Sequence, residues 1–128
     1  MEKFEIQRNE ALDLSVVRVL KAVTVTDIVE MLGERFDPHM TKNIIWEFLP
    51  GTLQLLNVND LKSLMENRRK TLRSRRGGHT IFVTHDPGEH LLMKWYSTIG
   101  EPLAEHQITL HLADDVDEAI ELIIRDAK

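Results

Sequence analysis

The densest group of side chains able to ligate a metal or move a proton is His85, Asp86, Glu89 and His90, which fall within six positions. Metal ligands must converge, and the i, i+4 pairing that sets two histidines on one helical face is missing here. His85 closes a strand-like run, whereas His90 falls inside a helical one. Asp86-Pro87-Gly88-Glu89 has instead the order of a helix start: an N-cap, a proline at the first helical position and an acid at the third. The expectation is no metal and no cofactor. Glu47 stands beside Trp46 in an otherwise apolar run, where burial would raise its pKa. General acid or base work needs a positioned partner, and the sequence names none. Glu47 therefore reads as a strand-edge or strand-end glutamate, and an enzyme would gain support only if Glu47 and a histidine came within hydrogen-bond reach. No G-x-S-x-G, phosphate-loop or dinucleotide motif is present. The absence of cysteine excludes a thiol nucleophile, thiolate zinc and a disulfide framework.

Charge is segregated. The net value is −5, yet Lys62 to Arg76 holds seven basic residues and one acid on an otherwise acidic chain. Lys62, Arg69, Arg73 and Arg76 recur at helical spacing, so Arg69, Arg73 and Arg76 are candidates for contact with an anion. Phosphate contact on nucleic acid or a membrane surface would follow from counterion release. Against nucleic acid stand the acidic balance, the three residues of the Trp and Tyr type, and the lack of a groove-reading or base-stacking motif. A solvated helix face, opposed by the acidic carboxyl-terminal half of a neighbouring chain, is the plainer reading.

The elements that must position these residues follow from periodicity. Phe4 and Ile6 alternate with polar neighbours, Asn9-Glu10 forms a turn, and Leu14 to Leu20 is valine-rich, which together predict a hairpin. Thr24 caps a helix with Asp27 three residues on, and Val23 with Ile28 forms its hydrophobic staple. Ile28, Val29, Leu32 and Phe36 share a face, and Asp37-Pro38 ends the helix. Asn43 to Phe48 carries apolar residues on both faces and is expected inside the sheet. A helix from about Asn59 to Arg76 pairs an interrupted apolar stripe, Leu61, Leu64, Met65 and Leu72, with the basic band on its other side. Gly77-Gly78 stops it. His79 to His85 alternates as a strand, and a helix follows with Leu91, Leu92, Trp95, Tyr96 and Ile99 inward, ended by Gly100 and Pro102. Ile108, Leu110 and Leu112 mark a last strand. Asp115 with Glu118 caps a final helix whose apolar face is Val116, Ala119, Ile120 and Ile123. The order β-β-α-β-α-β-α-β-α predicts an α/β domain over residues 1–128, with a mainly parallel sheet, an amino-terminal hairpin and about four packed helices.

Thr24 to Leu32, Ile44-Ile45-Trp46-Glu47-Phe48, Gly78 to Val83, Leu91 to Tyr96 and Asp114 to Ile123 together resemble the SpoIIAA-like proteins. These are small relatives of the STAS domain, grouped in fold terms with Sec14-type lipid carriers. The resemblance spans essentially the whole chain. It implies a β-α superhelix and a non-enzymatic role through protein partners. In the anti-sigma antagonists of that family a serine after the third strand is phosphorylated. Here the matching loop, Leu49 to Asn59, has no serine, and Thr52 is its only hydroxyl, so Thr52 is the one weak phosphosite candidate, or else an ordinary loop residue bonded to nearby backbone.

Leu53, Leu55, Leu56, Met93, Trp95 and Tyr96 offer more large apolar side chains than four helices need to cover one sheet. They are the candidate contacts for a protein partner, including a second copy in a homodimer. In another class, they line a helix–sheet pocket for an apolar, lipid-like ligand carried or sensed by the protein. No run approaches the ~20 apolar residues of a membrane span, and Met1 to Glu5 lacks a signal-peptide pattern. The expected location is the cytoplasm.

Overall fold

The structure, a computed structural model, describes residues 2–85 and 90–126, with Thr84 and residues 90–97 as backbone only. Five strands lie side by side in chain order: β1 (Phe4–Asn9), β2 (Leu14–Val19), β3 (Asn43–Phe48), β4 (His79–Thr84) and β5 (Thr109–Ala113). β1 runs antiparallel to β2, as the predicted hairpin requires, and the remaining pairs are parallel. Ile45 sits opposite Ile81 and Trp46 opposite Phe82. The helices are α1 (Val25–Met31), α2 (Val58–Leu72), α3 (His90–Glu105) and α4 (Val116–Asp126).

Strands laid down in sequence by crossovers of one hand put every crossover helix on the same face. Residues of α1, α2 and α3 accordingly pack with Val17, Val19, Ile44, Trp46, Phe48 and Phe82 in one core. α4, which comes after β5, covers the opposite face. There Ala119 and Ile123 meet Leu14, Val16, Ile45, Ile81 and Val83. β3 and β4 are therefore apolar on both faces, as the runs Ile44 to Phe48 and Ile81 to Val83 required.

Cap chemistry fixes the helix starts. The Thr24 hydroxyl accepts from the Asp27 amide while the Asp27 carboxylate accepts from the Thr24 amide, and Val23 and Ile28 are both buried beside them. Asn57 and Asp60 repeat the device at α2, and Asp115 accepts from the Glu118 amide at α4. Before α3 the expected cap, Asp86 to Glu89, lies outside the described residues.

Two helix ends depart from expectation. Beyond Met31, α1 widens into a π-helical turn (Leu32–Phe36) and then tightens into a 3₁₀ turn (Asp37–His39), so the helical path passes the proline. Pro38, which has no N–H to donate, is tolerated because it sits in the first turn of that short 3₁₀ segment. The wide turn brings Phe36 inward beside Met31, both buried, while Val29 is only half-buried. α3 likewise does not end at Gly100 and Pro102 but runs to Glu105. Ile99 and Leu103 are buried on it, and the chain then folds back so that the Ile108 amide donates to the Leu103 carbonyl at 2.9 Å. Burial of Leu103 and Ile108 outweighs the loss of one N–H.

Between α2 and β4 the turn depends on two glycines. Gly77 has φ +82, the left-handed conformation of a helix C-terminal stop. A Cβ on Gly78 would lie 1.9 Å from the Lys42 carbonyl oxygen, so β4 can begin this close to the segment entering β3 only without a side chain. Asn43 pins the same end of the sheet: its amide donates to the Leu12 carbonyl and its carbonyl accepts from the His79 amide, each within 3 Å.

Candidate functional site

α1, α2 and α3 do not close completely on the sheet. A cavity of about 80 Å³ remains, walled by Ile28, Leu32 and Phe36 from the first helical segment, Ile44, Trp46, Phe48 and Phe82 from the sheet, Leu61, Leu64, Met65 and Leu72 from α2, and Ile99 and Leu103 from α3. Its aromatic floor is ordered, with Trp46 stacked on Phe48 at 6.2 Å and Phe48 edge-on to Phe82 at 5.7 Å. The polar members of the wall are Arg68, Thr71, Arg75 and Thr80.

The two arginines come from the same helical stretch and differ in how their charge is met. Arg68, buried, places Nη1 and Nη2 at 2.8 and 2.6 Å from the two carboxylate oxygens of Asp37, with its guanidinium 6.0 Å above the Phe36 ring. The turn that carries α1 past Pro38 is what brings Asp37 there. Arg75, 7% exposed, faces neutral acceptors: Nε donates to the Lys42 carbonyl at 3.2 Å, and Nη2 donates to the His79 carbonyl at 2.9 Å and to the Thr80 hydroxyl at 2.8 Å. Among the described residues no carboxylate pairs with it. Burial, assisted by the charge of Arg68, pulls its pKa down to about 10, so the group still carries its proton at neutral pH.

A polar row crosses the other face of the sheet near the carboxyl ends of β2, β3 and β4. Glu47, 8% exposed, accepts from Arg18 Nε at 2.7 Å through one oxygen and meets His85 Nε2 at 2.7 Å through the other. Arg18 also approaches Glu5 at 3.6 Å. Burial pushes the Glu47 carboxyl up, but the hydrogen bonds from His85 and Arg18 outweigh it and hold the group below the usual value. Glu47 stands at the end of its strand, one residue before the last of β3, but β3 is an interior strand rather than an edge, and the carboxylate is buried and doubly paired. Glu47 and a histidine do come within hydrogen-bond reach. A carboxylate that orients an imidazole is one half of a general-base arrangement.

The remaining sequence candidates are dispersed. Leu53 and Leu56 belong to the core below α1 to α3, while Leu55 is 55% exposed, and none of the three lines the cavity. The side chains of Met93, Trp95 and Tyr96 lie outside the described residues. Arg69, Arg73 and Arg76 are exposed; Arg69 approaches Glu66 at 3.6 Å and Arg76 donates to the Gln107 side chain at 2.9 Å. Thr52 is buried, with its hydroxyl donating to the Leu49 carbonyl at 2.8 Å, so a kinase would have to open this loop to reach it. Among the described residues no three His, Asp or Glu side chains converge on one point, and Asp86 and Glu89 lie outside them.

Sequence reasoning missed Arg68 and Arg75 because they stand among seven basic residues in fifteen positions. The signal was nevertheless present. Positions 61, 64, 65, 68, 72 and 75 form a single helical face, so both arginines sit in the apolar stripe and account for its interruption. Set against family models, curated proteins and solved structures, the chain finds no match in any of the three.

Proposed function

We propose that the chain is a non-enzymatic binding module whose helix–sheet cavity takes an apolar ligand, as a carrier or a sensor. The observation that supports this most is the cavity itself. Protein interiors pack to crystal density, and a space of about 80 Å³ left among these side chains departs from it. A wall of aliphatic and aromatic side chains with a few convergent polar groups has the composition of a small-molecule site. Native mass spectrometry of the protein purified from cells tests the reading. A co-purifying apolar mass, or stabilisation by an alkyl compound added afterwards, is expected; a clean spectrum together with no stabilisation by any alkyl compound would discard it.

We read the fold as SpoIIAA-like, supported by the chain-order sheet, its antiparallel first strand and the three helices on one face. That family reading carries a second function, regulation through protein contacts, including contact with a second copy of the chain. Leu55, exposed in the loop after β3 where its neighbours Leu53 and Leu56 are buried, is the observation in its favour. Light scattering at micromolar concentration tests the dimer, and a strictly monomeric result removes it. A cytoplasmic location is part of the same proposal; it draws on the cysteine-free sequence and on the finding that, among the described residues, no helix is long and apolar enough to cross a membrane.

A further inference from the structure

Resting on the apolar-ligand reading above, we infer that the ligand is a monoanionic amphiphile, a carboxylate on an aliphatic or small aromatic body, with its head group held by Arg75 and its body in the cavity.

Charge complementarity carries the inference. Two guanidinium groups line the cavity, and only one has an anionic partner. Arg68 is neutralised by a two-point contact with Asp37, whereas Arg75 is buried against carbonyl and hydroxyl oxygens alone. A buried charge is ordinarily paired, because partial dipoles offset its lost hydration only in part. The Arg75 site therefore lacks one negative charge, and a carboxylate supplies one.

The donors that remain also limit the geometry. Nε and Nη2 of Arg75 are committed to the Lys42 and His79 carbonyls and to Thr80, while Nη1 makes no hydrogen bond among the described residues. The two-pronged fork seen between Arg68 and Asp37 is thus closed to a ligand, and one carboxylate oxygen on Nη1 is the contact left. The Thr80 hydroxyl, which already accepts from Arg75, has its own proton to donate. One guanidinium nitrogen and one hydroxyl suit a singly charged head better than a doubly charged phosphate. Apart from Arg68, already paired with Asp37, and Thr71, whose hydroxyl donates to the Arg68 carbonyl, the rest of the wall is hydrocarbon or aromatic.

Calorimetry on the intact protein at neutral pH, with octanoate, 1-octanol, octylamine and octyl phosphate as probes, tests this. Octanoate is expected to bind at least tenfold more tightly than 1-octanol and than octyl phosphate, and octylamine more weakly than either. Arg75→Met should abolish the preference for octanoate over 1-octanol, while Arg75→Lys should keep part of it. Equal binding of octanoate and 1-octanol to the natural protein overturns the carboxylate head but leaves the apolar-ligand reading intact. Tighter binding of octyl phosphate or octylamine overturns the head group likewise. No binding by any of the four overturns both. Arg75 ties the carbonyls of Lys42 and His79, so if Arg75→Met fails to fold, the comparison of probes on the natural protein decides the matter.

Discussion

Glu47 shows how neighbours reset a side chain. Its folded pKa is depressed, so the stability it contributes is fully present above the unfolded value of 4.5 and is lost as the pH falls through the folded one. Glu47→Gln should therefore lower the urea midpoint most near neutrality, and the gap to the natural protein should narrow steadily below pH 4.5. A gap that stays constant down to pH 3 would show that the Arg18 and His85 contacts carry no differential charge energy. Gly78 is sensitive for a steric reason. Gly78→Ala forces a methyl group into the Lys42 carbonyl and is expected to cost about 2 kcal/mol or more in urea unfolding. A cost near that of an ordinary surface change would mean that β3 and β4 can separate at their starts.

Helix boundaries and faces depend on short-range chemistry, which is why much of the element order could be read in advance. Thr24 with Asp27 and Asp115 with Glu118 act through a three-residue spacing visible in the sequence, and both cap as expected. Thr24→Ala should cost about 1 kcal/mol, measured as a fall in urea stability, because it orphans the Asp27 amide. No measurable loss would assign the start of α1 to the Val23–Ile28 staple alone. What could not be read depends on distant partners. Nothing local to Pro38 says that Asp37 will meet Arg68, thirty-one positions away, and so keep the turn wound. Nothing local to Pro102 says that Ile108 will return against Leu103. The same limit hid the cavity: arginines at 68, 69, 73, 75 and 76 look alike until the sheet beneath the helix separates buried from exposed.

At the scale of the molecule, the sheet separates two cores of unequal size. The larger lies under α1, α2 and α3 and is left incompletely filled; the smaller lies under α4 alone. A chain ending after Ala113 would bare Leu14, Val16, Ile45, Ile81 and Val83 as one contiguous patch, far beyond the scattered apolar residues a monomer tolerates. Such a truncation should elute as aggregate in size-exclusion chromatography, and a monomeric, cooperatively unfolding product would show that α4 is dispensable. The antiparallel first strand and the β-α succession were legible because both follow from connection length and handedness. The allocation of helices three to one was not, since the face that α4 covers depends on its packing against Leu14, Val16, Ile45, Ile81 and Val83, which are distant in sequence.

Strand order that repeats chain order also bears on synthesis. Each strand leaving the ribosome finds the neighbour it must join already made, so no pairing has to wait for a distant stretch to be translated. The hairpin can serve as a template on which one β-α unit after another condenses, and the last helix need only close a surface that is already assembled.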